Sequence, residues 1–146
     1  MGKSIVRNIW SMIIMNIVIL VATLTLHELG HALAGKALGC VTAKAIIYDS
    51  QTTNPYTELV CNRSDQKATY VSGLILTTFF GISFLAFENK SQKTLSLVII
   101  GFGIFLSALD IVEITGLSIM QYIFISLGLL SLVIGQILYG IFSVKE

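Results

Sequence analysis

Apolar residues dominate positions 5–38 almost without interruption and return over 68–87, 94–115 and 118–142, with short polar segments between the runs. A helix needs about 20 apolar residues to cross a hydrocarbon core. The first run exceeds that: wholly helical, it would be about 50 Å long, so it must tilt or project from the membrane. Gly39 is the expected helix stop. Positions 40–67 differ in kind, because Cys40, Lys44, Asp49, Glu58, Arg63, Asp65 and Lys67 appear there among β-branched and aromatic residues. "VTAKAIIYDS" and "PYTELVCN" read as two short strands around the turn-rich "QTTN". "ENKSQK", residues 88–93, is a polar loop, and Gly116 separates the third run from the fourth. The pattern predicts an all-α polytopic membrane protein forming one domain, 1–146. It has about four transmembrane helices and a small β-hairpin between the first two.

Composition supports the membrane class: 55% of the 146 residues are hydrophobic, 12% are charged, and the mean hydropathy is +0.86. The bilayer is therefore the first expected partner. A net charge of +1 says nothing about nucleic acid, and no run of like charges suggests a nucleic-acid- or lipid-binding tail, so no nucleic-acid partner is expected. Lys3 and Arg7 precede the first apolar run as they would in a signal peptide. The run is longer than a signal core and lacks a small-residue cleavage site, so it is expected to stay as a helix. With four spans, Lys3, Arg7, Lys90, Lys93 and Lys145 fall on one side and Lys36, Lys44, Arg63 and Lys67 on the other. That difference is too small for the positive-inside rule to set the orientation.

The chemistry lies in "LTLHELGHALAGKALGC", residues 24–40, which holds the chain's two histidines. His27 and His31 are four residues apart, one turn on one helix face, so both imidazoles can reach a single ion. Glu28 follows His27 directly. This is the HExxH arrangement, with two nitrogen ligands for zinc and a carboxylate to take a proton from the water the ion acidifies. Ionisable groups cost a few kcal/mol each inside a span and mark function there. The alternative, interhelical hydrogen bonding by two chance histidines, leaves that cost unexplained.

Catalytic zinc has three protein ligands and an open position. Asp110 is the expected third ligand because it lies inside a span, in "FLSALDIVEITG". Glu113, one turn further, could replace or support it. Cys40 and Cys61 flank the hairpin and could pair on an oxidising side; buried thiols are the commoner state, and neither has the spacing of a zinc pair. Gly30 and Gly35, with Ala32, Ala34 and Ala37, suit close helix packing, with Gly101 and Gly103 as a facing surface.

"LHELGHALAGKALG" resembles the motif helix of the site-2 protease family, membrane-embedded zinc metalloproteases that cut substrates within or beside a transmembrane segment. The resemblance implies a further helix with an aspartate in a Leu-Asp-Gly setting. Leu109 and Asp110 match, and Ile111 stands where the glycine would be. It also implies a Gly-Pro-Leu-Ala-Asn-like stretch, for which "GLILT", residues 73–77, keeps only the glycine. Thr77 or Thr78 could stand in for the missing asparagine at the substrate, although helix packing is the plainer role for both. The implied fold is a three-helix core plus one C-terminal helix in a multi-pass protein of the cell membrane. The motif end of its first helix would be cytosolic.

The expected function is hydrolysis of peptide bonds in or near the transmembrane segment of a membrane-protein substrate, with one zinc ion on His27, His31 and Asp110 and Glu28 as general base and acid. An extended substrate could add as a strand to the hairpin edges at 45–48 and 57–60, which brings in Ile46, Ile47 and Leu59 as contacts. Two other classes compete. A non-proteolytic, metal-bearing binding or regulatory protein would not need Glu28, and a transporter would need more than one polar station.

Overall fold

The computed structural model describes residues 2–48 and 55–143. The elements in order are α1 (Gly2–Ala37), β1 (Thr42–Ile46), β2 (Tyr56–Val60), α2 (Arg63–Ser83), a 3-10 turn (Phe84–Ala86), α3 (Lys90–Leu106), α4 (Ala108–Thr115) and α5 (Ile119–Ser143). Among the described residues, three stretches are long and apolar enough to cross a membrane: Trp10–Ala37, Asp65–Ala86 and Ile119–Ser143. α3 and α4 pass the same test only as a pair, bent by 47°.

That bend corrects the expectation of one straight helix over 94–115. Ser107, at the break, has ψ of 2°, far from the helical value of about −42°. Its hydroxyl donates to Gly103 O at 2.9 Å, the backward bond that bends helices. α2 also starts earlier than the apolar run did, at Arg63, since propensity and backbone bonding extend a helix past its hydrophobic stretch. α1 stops as expected. Gly39 has φ of +76°, with Gly39 N–H on Lys36 O and Cys40 N–H on Gly35 O, a Schellman cap.

β1 and β2 pair antiparallel, Thr42 opposite Val60 and Ile46 opposite Tyr56. The "QTTN" turn, residues 51–54, lies outside the described residues. Thr57 and Leu59 face inward along β2, while Tyr56, Glu58 and Val60 face out. The inward face sits on α1, and a Cβ on Gly35 would meet Ala43 and Leu59 side chains at 2.8 Å. Of the two states open to Cys40 and Cys61, the disulfide is the one present, and it closes the base of the hairpin. Their Cα atoms lie 4.5 Å apart, which the Schellman cap and the strand ends bring about.

Burial runs opposite to that of a soluble protein. Among the described residues the buried polar or charged side chains number ten and the buried apolar ones five. Thr23, Thr69, Thr77, Ser96 and Ser107 are inside, whereas Val18 is 61% exposed, Phe79 68% and Leu130 58%. Such surfaces are stable where lipid covers them. The apolar core is small: Ile19, Val98 and Ile99, with Met15, Phe80 and Phe102 packed on it. Glycines bring the helices together. Gly30 faces Ser72 and Gly73 of α2, Gly101 faces Gly128 and Leu132 of α5, and Gly103 faces Thr77. Gly101 and Gly103 therefore do not face the motif helix as expected; α2 does. α5 is further tied to α1, where Gln136 Nε2 donates to Asn16 Oδ1.

Gly128→Leu will separate α5 from α3, because a Cβ there meets Phe105 N at 2.8 Å and Gly101 O at 2.9 Å. A loss of about 1–3 kcal/mol is expected in thermal melting in detergent. Gly140→Leu, with nothing within 4 Å of the added Cβ, should leave the melting temperature unchanged.

Candidate metal centre

His27 and His31 leave α1 on the face that packs against α2, and both are buried, 3% and 5% exposed. Their rings fit only because α2 presents Gly73. A Cβ there would lie 2.7 Å from His31 Cε1 and 2.8 Å from His27 Cε1 and Nδ1. His31 Nδ1 lies 2.7 Å from Thr69 O, the carbonyl to which it donates, which leaves Nε2 as the nitrogen free to ligate. His27 Nδ1 is buried without a partner among the described residues.

Asp110 comes from the other side, on the first turn of α4. Beyond the bend at Ser107 that short helix packs on α2 and α5, and its N-terminal end favours a carboxylate. Asp110 Oδ2 lies 3.0 Å from His27 Nε2 and 3.3 Å from His31 Nε2, and the two nitrogens are 3.1 Å apart. Three electron-rich atoms thus form a nearly equilateral triangle. Ligands at about 2.0–2.1 Å from a tetrahedral zinc stand about 3.3–3.4 Å from one another, so the donor set fits the ion in size as well as in chemistry. Among the described residues, this is the one group of three or more His, Cys, Asp or Glu side chains placed to hold a metal.

Glu28 is buried beside His27. Its carboxylate is held by a residue that sequence reasoning missed. Thr57 Oγ1, on the inward face of β2, lies 2.6 Å from Glu28 Oε2 and 3.0 Å from the Glu28 carbonyl oxygen. The only hint in the sequence was the inward position of Thr57 in an alternating strand, and the partner could not be read from it.

The remaining expected residues fall elsewhere. Glu113 lines a polar cavity of about 430 Å³ with Gln66, Lys67 and Tyr70, outside the triangle. Thr77 is fully buried and donates to Gly73 O at 3.0 Å, pressed against Gly103, which makes it a packing residue between α2 and α3. Leu59 packs on Gly35 of α1. Ile46 ends β1, and Ile47 lies just beyond it, 44% exposed. No third strand pairs with either edge of the hairpin among the described residues.

Searches with family models, among curated proteins and among solved structures found no match to this chain.

Replacing Gly73 with alanine should displace both imidazoles while preserving the helix. Zinc affinity, measured by competition with a chromophoric chelator, is expected to fall about tenfold or more. Unchanged affinity would show that the rings do not depend on this approach.

Proposed function

We propose that the protein is an intramembrane zinc endopeptidase, with α1, α2, the bent α3–α4 pair and α5 as four spans. One observation carries this reading: two imidazole nitrogens and a carboxylate oxygen converge within 3.3 Å beside a buried glutamate. His27, His31 and Asp110 would hold the ion. Zinc bound there supplies a Lewis acid that acidifies water and polarises a carbonyl.

The chain's own residues do the rest. Glu28 accepts the proton from the attacking water and later returns it to the leaving amine nitrogen. Thr57, by donating to Oε2, fixes which way that carboxylate points and leaves its other oxygen for the water. Thr69 holds the His31 ring through its carbonyl. Among the described residues no third strand pairs with β2, whose Thr57 bonds to Glu28, so an extended substrate segment can add there as a strand. A peptide bond in a membrane helix is already hydrogen-bonded, and strand addition supplies new partners once that helix unwinds.

The orientation we propose is opposite to the one the resemblance implies. Disulfides persist in oxidising compartments. The Cys40–Cys61 bond therefore favours an extracytoplasmic hairpin, with both chain ends and residues 88–93 in the cytosol.

Glu28→Gln should keep the zinc and lose cleavage of a transmembrane substrate by about a thousandfold or more, whereas Asp110→Ala should lose the zinc itself. Zinc content and cleavage in micelles test both, and cleavage that survives Glu28→Gln rejects the peptidase reading. For orientation, a membrane-impermeant reductant followed by an impermeant maleimide should label Cys40 and Cys61 in intact cells. Labelling only after lysis would reverse the assignment.

A further inference from the structure

Hydrolysis at such a centre needs a donor for the negative charge that develops on the carbonyl oxygen, and that need rests on the peptidase reading above. Zinc can share the charge, but an aimed protein donor contributes a large further factor. The hydroxyls around the cluster are nearly all committed. Thr57 donates to Glu28, Thr69 to Gln66 O at 2.6 Å, Ser72 to Thr69 O, Thr77 to Gly73 O and Ser107 to Gly103 O.

Tyr70 is the exception. Its phenolic oxygen accepts from Gln66 Nε2 at 3.1 Å, and its own hydrogen has no acceptor among the described residues. The ring stands edge-on to His31, centroids 6.4 Å apart. It also lines two cavities. One is the polar cavity with Gln66, Lys67 and Glu113; the other, about 50 Å³, is lined by Tyr70, Leu74, Ser107 and Asp110 among others. Tyr70 thus shares one cavity with Asp110 of the cluster and the other with Lys67 and Glu113.

We propose that Tyr70 is a catalytic residue, donating its hydrogen bond to the carbonyl oxygen of the scissile peptide as that oxygen becomes negative, with Gln66 orienting the phenol. As the water oxygen bonds to the carbonyl carbon, the C=O π pair moves to oxygen and Glu28 takes the water proton. Tyr70 keeps its proton and shares it through the hydrogen bond. When the pair returns, the C–N bond breaks and the amine leaves with the proton from Glu28. The polar cavity beside Tyr70 suits the hydrated flank of a substrate, so the favoured class is a peptide bond at the juxtamembrane end of a span.

The test compares the full chain with Tyr70→Phe, both loaded with zinc. Cleavage of a juxtamembrane substrate should fall roughly a hundredfold or more in kcat with KM, zinc content and melting temperature unchanged. Calorimetry with a phosphinic peptide, whose tetrahedral oxygens mimic the developing charge, should show a comparable loss of affinity. Equal phosphinic-peptide affinity in the two proteins overturns the role of Tyr70 even if no turnover is found. Loss of zinc or melting temperature in step with activity overturns it too, since the ring would then be structural. Parent protein that binds the phosphinic peptide through Tyr70 but never cleaves would sink the peptidase reading alone.

Discussion

The closeness of α1 and α2 at Gly30 and Gly73 is the constraint on which the centre depends. A side chain on Gly30 would strike the backbone of Ser72 and Gly73, and one on Gly73 would strike both imidazoles. With neither present, the ring edges of both histidines come close to the α2 backbone at Gly73, and Thr69 O is near enough to hold one of them. Lipid is as apolar as a leucine side chain, so burying leucine drives little helix association in a bilayer. Close backbone approach and polar contacts take over. The same glycines that allow the helices to associate also make room for the two imidazoles.

Asp110 reaches the cluster by a second device. A straight helix through residues 94–115 would carry the carboxylate along the direction of α3. The backward hydrogen bond of Ser107 turns the chain by 47°, and Asp110 follows within one turn of the break. Two imidazoles opposed to a carboxylate would be costly to bury apart, and cheap to bury together around a cation. The bend and the glycine contact meet at that requirement.

The hairpin adds a surface element to the interior chemistry. Its inward residues divide the work, with Leu59 packing on Gly35 and Thr57 bonding to Glu28. The disulfide fastens both strands at their base beside the end of α1. The carboxylate is therefore positioned by an element outside the span that bears it.

The sequence by itself determined the helical membrane character, the hairpin, the stop at Gly39 and the pairing of His27 with His31. These follow from composition, periodicity and the one-turn spacing of a helix, all local properties. It also pointed to Asp110, because an ionisable group inside an apolar run demands a partner. Only the tertiary structure decided which partner that was. It likewise decided the break at Ser107, the bond from Thr57 to Glu28, the joining of Cys40 to Cys61, and the turning of Thr77 into a helix contact. Each of these depends on distances between segments far apart in the chain, and no local pattern encodes such a distance.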